Sequence, residues 1–367
     1  MARLGDLFLH IKNGANIKQG LDNTGYPITR IETISNRTVD RNKMGYAGIT
    51  DLGKYSDFVM QDGDILMSHI NSETHLGKTA LYEKEDDEII IHGMNLLSLR
   101  PNKDLIISKY AFYYLSSQSF LRQIPNITKK SVNQASFTVS ALKELVFPLT
   151  SIEEQKKITV DLDKVNGLIS IRKQQLSKLD ELVKSRFIEQ FGDPITNDKD
   201  FPCKEGRSLF AFSSGKFLEE KKRMQEGIPV YGGNGIAWYT DSALIETPTL
   251  VIGRVGAYCG NVRMITEAAW ITDNAIYIKE FKTDEFTLRF LHELMRYMNF
   301  SQFADFSGQP KITQKPLESL RYIVPPIELQ AQFSAFVEQV DKSKLAIQKS
   351  LEKLEILKKS LMQQYFG

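Results

Sequence analysis

The chain has 367 residues, 42% hydrophobic and 25% charged, which is ordinary globular composition with room for two or three domains. No stretch approaches the roughly 18 apolar residues of a membrane span, and the opening "MARLGDLFLHIKNG" lacks the features of a signal peptide, so a cytoplasmic protein is expected. A net charge of +2 argues against a strongly basic nucleic-acid binder without excluding one whose charge is segregated, and Cys203 and Cys259 stand without ligand-spaced His or Cys, which argues against zinc or a disulfide framework.

In chain order, residues 1–141 read as mixed α/β. Short apolar runs such as "DILMSHI" (64–70) are separated by Gly, Asn and Asp, an acidic run "EKEDDE" (83–88) marks a solvated turn, and "SKYAFYYLSSQSFLRQI" predicts a helix from Ser108. A long helix follows. Ser151 with Glu154 forms a capping box, Gly192-Asp193-Pro194 ends the helix, and Ile158, Leu162, Val165, Ile169, Arg172, Leu176, Leu179, Val183 and Arg186 alternate by four and three as a coiled-coil seam. Residues 193–316 again read as mixed α/β, with "TLVIGRV" (249–255) as a strand and a helix from Asp284. After Pro325-Pro326 a second long helix carries Phe333, Val337, Val340, Lys344, Ile347, Leu351, Leu354, Lys358 and Leu361 on its seam.

The two helices are one motif written twice. Shifting the chain by 175 residues aligns 133–192 with 308–367 without a gap and with 16 of 60 positions identical, against about one in fifteen to twenty by chance. Ile169 matches Lys344, Arg172 matches Ile347, Val183 matches Lys358 and Arg186 matches Leu361, so each seam is polar where the other is apolar. That complementarity predicts a helix pair within the chain, antiparallel so that the two preceding heads lie at opposite ends. The expected fold is therefore mixed α/β: two globular heads, 1–141 and 193–316, separated by helical spacers, 142–192 and 317–367, in a pseudo-twofold repeat. Helices kept alike beside heads that diverge suggest a function in which the heads must differ.

The order head, helix, head, helix, the helix starts "PLTSIEEQKKI" (148–158) and "PPIELQAQF" (325–333), and the doubled ending "FG" resemble the DNA-specificity subunits of type I restriction-modification systems over the whole chain. The resemblance implies that each head is a target-recognition domain reading one half of a split DNA sequence. It also implies that the helices form an antiparallel spacer binding two methyltransferase subunits, with restriction subunits joining the full complex. On this resemblance Glu153, Gln155, Glu328 and Gln330, at the helix starts, face those partners. Leu329 stands where the first copy has Glu154.

Double-stranded DNA calls for loops whose Lys, Arg, Asn, Gln and Ser side chains bond phosphates and base edges. In the first head these are Lys12, Asn13, Lys18 and Gln19 in "KNGANIKQG", Ser68, His69, Asn71 and Lys78 in "SHINSETHLGK", and Lys129, Lys130, Asn133 and Gln134 in "TKKSVNQAS". In the second they are Ser214, Lys216, Lys221, Lys222 and Arg223 in "SSGKFLEEKKR", Asn234 in "YGGNG", Arg254 and Asn261 in "GRVGAYCGN", and Gln309 and Lys311 in "SGQPKIT". Gln134 and Gln309 rank highest because the repeat retains them and the resemblance places a DNA-facing loop just ahead of each helix. The acidic run leaves the rest of the first head locally basic, and DNA is expected on the side away from it.

Catalytic signatures are missing from the sequence. "HLGKTA" (75–80) has Ser72 where a phosphate loop needs its first glycine, "VPPI" (324–327) lacks the polar and aromatic residues of an amino-methyltransferase tetrad, and "GRVGAYCG" opens no convincing helix. His10, His69, His75, His92 and His292 show no metal pattern. A non-catalytic subunit without cofactor or metal is expected. On the residues alone, a self-contained modification enzyme and a coiled-coil scaffold that binds no DNA remain alternatives.

Overall fold

The computed structural model describes residues 2–17, 24–131 and 134–367. These fall into two compact units, Met1–Ile171 with Leu351–Gly367, and Arg172–Ser350, so each unit combines one head with the start of one long helix and the end of the other.

In the first unit β1 (Phe8–Asn13), β2 (Ile65–Ser68), β3 (Ile70–Asn71), β4 (Thr79–Leu81) and β5 (Leu96–Pro101) precede helix α1 (Ser108–Leu115). The main sheet is antiparallel throughout, in the order β1-β5-β2-β4. Its central strands read as unbroken apolar runs because both faces are covered: Ile65 and Met67 enter a core with Tyr110 and Leu115, whereas Leu66 packs with Ile34, Met60 and Tyr82 on the other side. The helix expected from Ser108 breaks at Ser116 and Ser117, where the Ser117 hydroxyl accepts from the Phe120 N–H and starts a new short turn. A smaller sheet joins β3, β7 (Ala135–Ser136) and β6 (Lys129–Lys130), in that order. Then comes α2 (Ile152–Phe191), 40 residues or about 60 Å long.

The second unit repeats the plan with different residues. After β8 (Phe210–Ser214) come the hairpin β9 (Ile228–Gly232) and β10 (Gly235–Thr240), then β11 (Thr249–Gly253), β12 (Val262–Ile265), β13 (Ala275–Phe281), α3 (Leu288–Tyr297) and the 40-residue α4 (Ile327–Phe366). Its main sheet has the order β8-β13-β11-β12, again antiparallel throughout. Each head is closed by pairing its first residues with those just ahead of its long helix, Ala2–Arg3 with Val146–Phe147 and Cys203–Glu205 with Arg321–Ile323.

The long helices are antiparallel. In the second unit Phe187 and Phe191, near the end of α2, lie 5.6 and 5.4 Å from Phe333 near the start of α4, Arg186 covers Phe336, and Asp180 pairs with Lys344 further along. In the first unit Tyr365 donates to Asp161 at 2.8 Å, and Phe366 packs beside Tyr110 and Tyr114. The seam differs from expectation at one point. Arg186 is displaced by Phe187, and the buried residues Val183, Phe187 and Phe191 follow a four-residue step, because a 3.6-residue helix drifts from a strict heptad. Both ends of α2 follow the local signals: the Glu154 N–H donates to the Ser151 hydroxyl, and Gly192, at φ +68°, donates back to Ile188.

Candidate nucleic-acid interface

The glutamines at the two helix starts have a structural task. Gln155 is fully buried; its Oε1 accepts from the Ile107 N–H at 2.9 Å while its Nε2 donates to the carbonyls of Leu105 and Thr150. Gln330, equally buried, accepts from Thr287 N–H at 3.0 Å and donates to Glu285 and Pro325. Ile107 and Thr287 are the N-cap residues of α1 and α3, so in each unit one amide ties the head's helix to the long helix. This corrects the expectation that Gln155 and Gln330 face a partner: their hydrogen-bonding groups are used within the chain. Glu153 and Glu328 are exposed at the same helix starts.

In the first head the small sheet brings two candidate loops together. Ala135 pairs with Asn71 on one side and Lys130 on the other, and the Phe137 N–H donates to the His69 carbonyl. Lys129, Lys130 and Gln134 are exposed along this edge, with Lys130 2.9 Å from Glu73. Two expectations are corrected here. Ser68 and His69 are 1% and 6% exposed, because they end a central strand and turn inward, His69 edge-on to Phe137, with burial lowering the pKa of its imidazole. Their side chains face into the first head rather than out along the loop. Lys78 is half-buried and donates to the Ser35 carbonyl, and Lys12, on β1 with Asn13, donates to the Asp57 carbonyl and lies over Phe58, apart from the small sheet. Lys18, Gln19 and Asn133 lie outside the described residues. The acidic run is more than a solvated turn: Arg41 grips Glu88 through two nitrogens and pairs with Glu85, and this guanidinium holds the Glu88 carboxyl down at about 2.

The second head makes the equivalent arrangement. Lys311 pairs with Val255 and Asp305, the Ile312 N–H donates to the Arg254 carbonyl, and Gly256 N–H donates to Pro310 beside Gln309. Shifted by 175 residues, Ile312 is Phe137, so Arg254 takes the place of His69 and the retained glutamine segment is clasped the same way in both heads. Gln309, Lys311, Asn261, Asn234 and Lys216 are exposed; Ser214 accepts from Gln314 at 3.3 Å. Lys221 and Lys222 are exposed, and Lys221 pairs with Glu219 at 2.7 Å. Arg223 stacks 4.0 Å over Trp238 of β10, and Met224 bridges Tyr239, so this loop is fastened to the hairpin. Residue type alone did not single out Trp238, which fastens the loop carrying Arg223 to strand β10 of the hairpin.

Two divergent heads built on one sheet plan, each ending in a clasped polar loop ahead of an antiparallel long helix, define a modular recognition and assembly subunit. The family model for the type I restriction modification DNA specificity domain matches residues 1–181 and 204–358. The chain is 32% identical over 394 aligned positions to a protein of Methanocaldococcus jannaschii named as the type I restriction enzyme MjaX specificity subunit, covering 98% of this chain and 90% of that one. It is 27% identical over 253 positions to the type I restriction enzyme EcoprrI specificity subunit of Escherichia coli, covering 64% of this chain and 61% of that one. The crystal structure of a type I restriction-modification S subunit from M. genitalium shares the fold, with a TM-score of 0.62 at 19% identity over 100% of this chain and 95% of that one. The chain belongs to the type I restriction-modification specificity family and carries two target-recognition domains.

Proposed function

We propose that the two heads, taken as residues 1–141 and 193–316, each read one half of a split DNA sequence in the cytoplasm. The spacers 142–192 and 317–367 set the gap between the half-sites and dock two methyltransferase subunits, to which restriction subunits are added. The chain performs no chemistry itself. It supplies sequence selectivity, and the reacting groups come from its partners.

The observation that carries this reading is the shared clasp. In both heads a retained glutamine segment is held by backbone hydrogen bonds against a segment that differs, His69 in one and Arg254 in the other. A fixed scaffold set beside segments that differ between the heads is what base reading by two independent modules requires. Lys129, Lys130 and Gln134 then contact DNA on the first head. On the second, Arg254, Asn234, Asn261, Gln309 and Lys311 do so. Glu153 and Glu328, exposed at the helix starts, are left to face the methyltransferase subunits.

Replacing residues 193–316 by the corresponding head of a relative, followed by mapping of methylated sites in cells that carry the modification partner, tests the reading. One half of the recognised sequence changes and the other stays. A swap that alters both halves, or neither, contradicts independent reading.

A further inference from the structure

A cavity of about 620 Å³ opens on the second head between β12 and α3 and is lined by Asn261, Arg263, Arg289, His292, Arg296 and Asn299. Among the described residues no carboxylate lines it. The compensating acids stand behind the basic groups. Arg296 and His292 each reach Glu293 at 2.9 Å, Glu293 is 8% exposed, and Arg289 reaches Asp341 at 3.0 Å. Burial acts to raise the Glu293 pKa, but the His292 hydrogen bond and the charges of Arg296 and Arg289 outweigh it and hold the carboxyl below its ordinary value, keeping it ionised as an anchor. Arg263 donates to the Asn234 carbonyl at 3.0 Å, which fixes it beside the hairpin turn already assigned to DNA. A guanidinium has five donors, and these anchors occupy only part of each set.

Among the described residues, the cavity at the corresponding place in the first head mixes basic and acidic groups. The Ile107 and Thr287 N–H groups both donate to the buried glutamines, which places Lys109, Phe112 and Ser116 opposite Arg289, His292 and Arg296. Arg263 pairs with Val251 as Ala80 pairs with Leu66, so an alanine replaces the fourth basic group. The cavity there holds Arg37, Arg41 and Lys109, but Glu83, Glu85 and Asp163 line it as well, and Lys109 is engaged by Glu83 and Asp163.

We propose that this cavity seats a backbone phosphate of DNA flanking the half-site of the second head, a contact that adds affinity without sequence information. Three arginines, Arg289 and Arg296 held by carboxylates and Arg263 by the Asn234 carbonyl, present convergent forks suited to phosphate oxygens. The seat rests on the reading that the second head binds DNA, and extends that head's footprint from the clasped loop to α3.

The test uses the full chain assembled with its modification partners, and measures duplex affinity against salt for wild type, Arg296→Gln, Arg263→Gln and Arg263→Lys. Each glutamine variant is expected to flatten the slope of log affinity against log salt by about 0.9 and to weaken binding several-fold at physiological salt. Arg263→Lys keeps the slope, and the methylated sequence is the same throughout. An unchanged slope in Arg296→Gln, with an unchanged melting temperature, overturns the seat, and so does a change in the bases recognised. Titration of the DNA-free complex with inorganic phosphate separates the sources. Binding by wild type and not by Arg296→Gln, with the DNA slope unaltered, assigns the cavity to a free anion and overturns the DNA contact. If the wild-type complex shows no sequence-selective methylation, the underlying reading of the heads fails instead.

Discussion

The Lys344 ammonium lies 2.6 Å from the Asp180 carboxylate, bridging the two long helices within the second unit. Lys344 holds the slot that the buried Ile169 holds in the other copy, so the break in this seam is met by a charge on the neighbouring helix. With the two side chains 22% and 60% exposed, such a pair contributes no more than about 1 kcal/mol. Phe333, fully buried among Phe187, Phe191 and Phe290, is a different case, since truncating it leaves a cavity costing about 3–5 kcal/mol. Lys344→Met is therefore expected to leave stability within about 1 kcal/mol of wild type, and Phe333→Ala to unfold the second unit at much lower denaturant. Comparable losses in urea titrations of the two variants would contradict this ranking.

The buried glutamines separate a structural role from a partner-facing one. Gln155→Leu or Gln330→Leu strands an N-cap N–H and two carbonyls, each costing about 1–3 kcal/mol when left unsatisfied. Both variants are expected to lower the melting temperature. Glu153→Ala and Glu328→Ala, at exposed positions, are expected to leave it unchanged and to weaken assembly with the modification subunits. Unaltered assembly in the Glu153→Ala, Glu328→Ala double variant would remove these residues from the docking surface.

Acid should weaken the first head through His92. Burial holds its imidazole pKa down at about 3, against 6.5 for the free side chain, while its Nε2 lies 2.9 Å from the Leu96 carbonyl. Between those values the unfolded chain binds a proton that the folded one refuses, so the stability present above pH 6.5 is lost as pH falls toward 3. His92→Gln is expected to flatten the decline in melting temperature between pH 7 and pH 4. An equally steep decline in calorimetry would assign the acid sensitivity elsewhere.

The helix pair can be tested as a ruler. Removing one heptad from each helix, Ile169–Gln175 together with Lys344–Ser350, keeps the seam in register and shortens each helix by about 10 Å, or about three base pairs of duplex. Methylation mapping is expected to find the same half-sites with a gap shorter by about that amount. Modification of the original sites at the original gap would exclude the spacer as the measure of distance.

The sequence by itself determined the repeat and both long helices, because four-three periodicity, the Ser-Glu cap of the first helix and a terminal glycine are signals read within a few turns of one helix, and comparison of the two copies, each polar where the other is apolar, gave their antiparallel pairing. It also located the retained Gln134 and Gln309. Only the tertiary structure decided which polar residues are surface and which are scaffold. Ser68 and His69 read as a polar loop but end a central strand, and Gln155 and Gln330 read as an exposed helix start but face inward onto α1 and α3. Arg263, Arg289 and Arg296 are scattered in the chain, and form one cavity only because β12 packs against α3. The physical reason is the range of the contacts: a helix is written by neighbours three and four residues apart, whereas the burial and charge of a binding surface depend on segments brought together from far along the chain, which no local pattern encodes.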